Sequence, residues 1–144
     1  GAHVEAAGVR LETRPAEGLP IIHGSQRQLE DLWVNLILLA RDAAQEAPDG
    51  GWIQILSLPG PEGGVLVEVR DNGRPIPQEQ LTTIFEPNFI GPSSNRGTGM
   101  ELSICREIVR QHGGKIFVAS SKERDTIFSV ILPPGERAED APTI

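Results

Sequence analysis

"RGTGMELSICREIVRQHGGKIFVAS", residues 96 to 120, reads as a glycine turn, a helix, a stop and a strand. The helix is expected from about 99 to 111, with Ile104, Ile108 and Val109 facing inward and Gly113 ending it. The backbone of residues 97 to 101 can present several amides to one anion. Glycines let that backbone approach closely, and the helix start adds its positive end. A glycine turn before a helix is also an ordinary joint, so this stretch alone leaves both readings open.

Upstream, "VRLET" (9 to 13) and "PIIHG" (20 to 24) read as strands. Ser25 can cap a helix over about 26 to 45, in which Leu29, Leu32, Trp33, Leu36, Leu39, Ala40 and Ala43 keep helical spacing. "WIQILSL" (52 to 58) and "VLVEVRD" (65 to 71) flank the turn "PGPEGG" as an antiparallel hairpin. "QEQLTTIF" reads as a short helix starting at Pro77. Residues 86 to 98 hold Pro87, Gly91, Pro92 and Gly97 without periodicity and read as a loop. "KIFVAS" and "DTIFSVILP" are two closing strands. The expected fold is α+β: a two-layer sandwich whose mixed, mostly antiparallel sheet of about five strands carries about three helices on one face.

The 144 residues suit one domain over 1 to 135, with "ERAEDAPTI" (136 to 144) as a polar tail or linker. The net charge of −7 argues against a nucleic-acid surface, which needs a basic face. No apolar run approaches the ~20 residues that span a membrane, so no membrane contact is expected, and no signal peptide is visible. The single cysteine, Cys105, rules out an intrachain disulfide and a cysteine-cluster metal site, and it fits a reducing, cytoplasmic compartment. A start at Gly1 without methionine is expected of a piece of a longer protein.

Two further positions could carry chemistry. Asp71 ends a strand, with Gly73 two residues on, and could accept a hydrogen bond from an exocyclic amine; the alternative is a local Asx turn made by Asp71 or Asn72. Asn35 is the only polar residue in the apolar run from Leu32 to Ala40. A buried amide without partners costs ~1–3 kcal/mol, so Asn35 needs a protein partner or a ligand.

Taken in order, these stretches resemble the ATP-binding catalytic domain of sensor histidine kinases, in the superfamily shared with gyrase, chaperone and mismatch-repair ATPases and known for the Bergerat fold. "LEDLWVNLILLARDA" resembles the N box, "VRDNGRPI" the first glycine box, "IFEPNF" the F box, "GTGMELSICREIVRQHGGKI" the second glycine box and "DTIFSVILP" the final strand. The resemblance implies that ATP binds with magnesium. Asp71 would bond the adenine amine, Gly73 would let the ring approach, and Thr126 would support the contact through water. Ile76 and Ile104 would wall the pocket. Residues 88 to 98 would form a lid, Gly97, Thr98 and Gly99 would give amides to phosphate, and Arg96 would be the phosphate clamp. Asn35 would face the phosphates and the magnesium ion. The implied partners are a dimerisation and phosphoacceptor domain upstream and a response regulator.

Three residues depart from the family pattern. Leu39 stands where a second Asn ligates magnesium, and it has no oxygen to offer. Pro75 replaces the second glycine of the first box. Glu101 replaces the last glycine of the second box, on the first turn of a helix, where it suits the dipole but repels a triphosphate. It could stand in for phosphate, swing outward, or supply the oxygen missing at Leu39. All three fall on the phosphate and magnesium side, so impaired catalysis is expected. The readings are therefore a kinase catalytic domain, whose activity is in question, and a degenerate domain that docks on a partner. A serine kinase of the anti-sigma kind shares the same ending. His3, His23 and His112 lie outside any phosphoacceptor-like helix. Trp33 and Trp52 are expected in the core or against another subunit, and Cys105 in the core.

Overall fold

Ser25, itself extended, caps the first long helix: its Oγ accepts the Gln28 amide at 3.2 Å, satisfying one of the free N–H groups of the first turn. In the computed structural model the described residues are 3–6, 9–15, 24–48, 50–81, 83–85, 101–121 and 124–134. They form β1 (His3–Ala6), β2 (Val9–Pro15), α1 (Gln26–Ala44), β3 (Gly51–Pro59), β4 (Val65–Asp71), α2 (Glu101–Gln111), β5 (Lys115–Ser121) and β6 (Arg124–Leu132). The six strands make one sheet in the order β1-β2-β3-β4-β6-β5. Only β2 and β3 run parallel; every other pair is antiparallel. The parallel pair follows from its connection, because α1 lies between the two strands and returns the chain to the same end of the sheet.

Alternation along the strands decides which side faces the helices. Ile53, Val69, Phe128 and Val130 point inward and are buried. They meet Leu32, Leu36, Ala40 and Ala44 of α1, one residue per turn, and Leu102, Cys105, Ile108 and Val109 of α2 in a single core. On the other face lie Gln54, opposite Arg70 across β3 and β4, and Glu68, which pairs with Arg70 along β4, with Phe117 49% exposed. The two-layer α+β arrangement expected from the pattern is therefore present. β1 adds an edge strand to those read from the sequence.

α2 ends in a left-handed glycine, Gly113, at φ 75°. The Gly114 amide reaches back to Val109 O at 2.9 Å and the Gly113 amide to Arg110 O at 3.0 Å, which closes the helix end and aims the chain into β5. His112 then joins the two helices. Its Nε2 accepts the Ser25 amide at 3.0 Å, and its Nδ1 donates to Ile108 O at 2.7 Å.

Two expectations need correction. The helix expected over 78 to 85 is a single 3-10 turn, Gln78–Gln80, followed by further turns. Pro77 opens it, and the chain beyond it is anchored by packing: Phe85 meets Phe128 edge to face, with ring centres 6.4 Å apart. Ile104 is not inward but 46% exposed, because Leu102, Cys105, Ile108 and Val109 form the buried stripe of α2. The expected strand at 20 to 24, the loop at 86 to 98 and the tail at 136 to 144 fall almost wholly outside the described residues. Trp33 packs against the core as expected, and Trp52 lies half-buried on the outer face of β3.

Candidate functional site

Asp71 is the last residue of β4, and the register places it between Ile53 on β3 and Thr126 on β6. Directly opposed residues share a face, so Asp71 and Thr126 both point toward the helix layer. Asp71 is 1% exposed and Thr126 3%. Burial pushes the Asp71 carboxyl up from 3.8 to about 7; the Gly73 amide pulls the other way, and the charge of Asp125 adds to the rise. Its Oδ1 accepts the Gly73 amide at 2.8 Å. The local Asx turn is thus real, and it occupies one oxygen of a carboxylate that has two.

The turn after Asp71 is clamped to its surroundings. Asn72 Oδ1 accepts the Trp52 amide at 2.7 Å, and its Nδ2 donates to Gly50 O at 3.0 Å. The Arg74 amide donates to Ala43 O at 3.3 Å, and its guanidinium grips Glu46 in a fork, with contacts of 2.7 and 2.9 Å. Gly73 is required by this packing. A Cβ there would lie 2.1 Å from both the carbonyl carbon and the carbonyl oxygen of Ala43. The turn forms with Pro75 in place. A groove of about 350 Å³ lies between the end of α1 and this turn, lined by Pro48, Gly73 and Pro75 among others. Neither Asp71 nor Thr126 lines it, so it is separate from the carboxylate.

Ser120 belongs to the same cluster and is absent from the residues expected from sequence. It is 6% exposed. Its Oγ accepts the Ile76 amide at 2.8 Å and lies 2.7 Å from Thr126 Oγ1, while its carbonyl accepts Gln78 Nε2 at 2.9 Å. Ile76, half-buried, packs against the core beside it. A signal for it exists in the sequence: Ile116, Val118 and Ser120 alternate along β5, which marks Ser120 as inward and polar.

On α1 the buried stripe is Leu32, Leu36, Ala40 and Ala44. Asn35, Leu39 and Ala43 form the neighbouring row, one helical turn apart from one another. Ala43 is the residue against Gly73, so this row runs alongside the Asp71 turn. At ~1.5 Å per residue, Asn35 lies ~12 Å along the axis from Ala43. Asn35 is half-buried, and Leu39 packs against the core. Arg96, Gly97, Thr98 and Gly99 lie outside the described residues, as does the side chain of Glu101, the first residue of α2. Among the described residues no group of three or more His, Cys, Asp or Glu is placed to hold a metal.

A family model described as "Histidine kinase-, DNA gyrase B-, and HSP90-like ATPase" matches residues 24–136. Sporulation kinase A of Bacillus subtilis (strain 168) is 33% identical over 126 residues, covering 88% of this chain and 20% of that protein. The adaptive-response sensory kinase SasA of Synechococcus sp. (strain CC9311) is 32% identical over 128 residues, covering 87% of this chain and 33% of that one. Among solved structures, the catalytic domain of histidine kinase ThkA in a nucleotide-free form superposes with a TM-score of 0.73 at 30% identity, over 89% of this chain and 82% of that chain. The chain thus spans about a fifth to a third of the curated relatives it matches. These relatives carry kinase names, and nothing in them supports a degenerate docking module.

Proposed function

The chain belongs to the family of histidine kinase-, DNA gyrase B- and HSP90-like ATPases, and from that membership we propose that it holds ATP by its base at Asp71. Its fold is that of the ATP-binding catalytic domain of sensor histidine kinases. The observation that carries the proposal is the buried pair on adjacent strands, a carboxylate and a hydroxyl at the mouth of the sheet. Ionised Asp71 accepts the exocyclic amine on the oxygen that the Gly73 amide does not use. Thr126 supplies a hydroxyl beside it, and Ile76 gives an apolar surface for the ring.

The residues present fit a nucleotide on the base side. On the metal side they offer the Asn35 oxygen, with Leu39 contributing none. This suits a magnesium ion that keeps several waters and takes its other ligands from phosphate. When bound, that ion neutralises charge on the transferring phosphoryl group. Gly97, Thr98 and Gly99 would give their amides to the phosphates, with Arg96 as clamp. The phosphoryl group would go to a histidine outside this chain, making this domain the donor side of autophosphorylation. Residues 1 to 135 would form the domain and 136 to 144 a tail, working on the cytoplasmic side where ATP is supplied.

A response regulator is the proposed downstream partner. ThkA has been solved in complex with response regulator protein TrrA, and this chain matches that ThkA chain with a TM-score of 0.70 at 29% identity, over 90% of this chain and 35% of that one. No described helix is long and apolar enough to cross a membrane.

Calorimetry with ATP, with magnesium and with chelator, tests the proposal on the unmodified protein and on Glu101→Gly. Magnesium-dependent binding is expected, tighter in Glu101→Gly because a negative charge is removed from the first turn of α2, the turn expected to meet the phosphates. Failure of both proteins to bind ATP would refute it.

A further inference from the structure

Resting on the reading of Asp71 and Thr126 as base-binding residues, we infer that Ser120 is a positioning residue that orients the Thr126 hydroxyl as a hydrogen-bond donor toward the base. A serine hydroxyl has one proton to give and two lone pairs. At Ser120 one lone pair is taken by the Ile76 amide, 2.8 Å away. The 2.7 Å contact with Thr126 Oγ1 then needs one proton between the two oxygens. Two arrangements satisfy it. In one, Thr126 donates and the proton of Ser120 is left over. In the other, Ser120 donates, and the leftover proton belongs to Thr126, on the strand position directly opposite Asp71.

Only the second arrangement is completed by a ligand at Asp71. A buried hydroxyl proton without an acceptor is penalised, so a ligand that offers an acceptor at Thr126 selects it. The site then presents an acceptor, the Asp71 carboxylate, next to a donor, the Thr126 hydroxyl. The adenine edge is the complement: an amine beside a ring nitrogen with a free lone pair.

The backbone supports this arrangement. The register of β5 against β6 shifts here, since Ala119 pairs with Ile127 and Ser121 with Arg124. Asp125 and Thr126 together therefore oppose Ser120. Such a bulge re-aims side chains, and here it brings the two hydroxyls into contact. Ser120 also holds the segment after the glycine turn twice, by its hydroxyl to the Ile76 amide and by its carbonyl to the Gln78 side chain.

The test uses the full chain at pH 8, where Asp71 is ionised, with two probes: ATP and 1-deaza-ATP. The second keeps the amine and lacks the adjacent ring-nitrogen acceptor. The unmodified protein is expected to prefer ATP by about tenfold, the worth of one such hydrogen bond. In Ser120→Ala that preference should shrink to within about threefold, and Ser120→Thr, which restores the hydroxyl, should recover it. Thr126→Val, which keeps the shape without the hydroxyl, should remove the preference by itself and covers the case in which Ser120→Ala does not fold. If Ser120→Ala weakens both nucleotides equally and keeps the ratio, Ser120 is merely structural and the inference fails. A preference that survives in Thr126→Val overturns it as well. If the unmodified protein binds ATP without preferring it over the analogue, the inference falls and the nucleotide reading stands. If it binds neither, both fall.

Discussion

Replacing Asp71 by Asn should stabilise the fold at pH 8 and slightly destabilise it at pH 4. The carboxyl is 1% exposed, and burial raises it from 3.8 to about 7. The sign follows from which state holds the proton. Between pH ~4 and ~7 the folded chain keeps a proton that the unfolded chain has lost, so stability falls as pH rises through that window. Below it both states are neutral at this site, and above it the folded chain carries the full penalty of a buried charge. At about 1.4 kcal/mol per pH unit, the gap between 3.8 and about 7 amounts to about 4 kcal/mol. Asn keeps an oxygen for the Gly73 amide, which now donates at 2.8 Å, and it cannot ionise. Its new buried N–H group costs about 1 kcal/mol. Asp71→Asn should therefore be less stable than the parent by about 1 kcal/mol at pH 4 and more stable by about 3 kcal/mol at pH 8. Urea unfolding followed by the fluorescence of Trp33 and Trp52 gives both values. A difference between the two proteins that stays flat from pH 4 to pH 8, or one in which Asp71→Asn loses stability relative to the parent as pH rises, would refute the reasoning. The stability surrendered at Asp71 is what the proposed amine contact requires: a charge kept where water cannot compete for it.

Other substitutions separate tight packing from loose surface contacts. Gly73→Ala forces a Cβ to within 2.1 Å of the Ala43 backbone, and should lower stability by about 1–3 kcal/mol in a thermal melt. His112→Ala removes the acceptor of the Ser25 amide, 3.0 Å away, and should cost about 0.5–1.5 kcal/mol, with exchange of the Ser25 amide proton accelerated. Arg74→Ala breaks an ion pair whose side chains are 33% and 49% exposed, and its effect on stability should stay below about 1 kcal/mol. If Asp71 receives the base, ATP affinity should weaken as pH falls below 7, by up to about tenfold per pH unit, because the amine favours the ionised carboxylate; calorimetry from pH 5.5 to 8 measures the slope.

The strands are legible because short runs rich in Val, Ile and Leu stand between turn residues, and "WIQILSL" and "VLVEVRD" appear as β3 and β4. Ser25 and Gly113 likewise mark helix ends through local chemistry, which a sequence displays. The hidden features are those set by contacts between distant segments. Ile104 fits a helical stripe as well as Leu102 or Cys105 does, and only the position of α1 decides which is covered. Gly73 reads in the sequence as room for a ligand, whereas its missing side chain makes room for Ala43, 30 positions earlier in the chain. The contact of His112 with Ser25 spans 87 residues and leaves no local trace. At 78 to 85 a weak helical pattern loses to packing, because Phe85 is held against Phe128 on β6. Asp71, Thr126 and Ile76 stand out in the sequence and are gathered in one place, but Ser120, which links the last two, looks there like one more strand residue.

The most direct test of the account is to follow the Asp71 carboxyl by carbon NMR as pH is varied, with and without ATP. In the free protein it should titrate near 7. With ATP bound, the amine favours the ionised form, and the titration should move to lower pH by about one unit or more. A midpoint that ATP leaves unchanged, or an Asp71 that titrates near 4 in the free protein, would contradict the claim that this buried carboxylate receives the base.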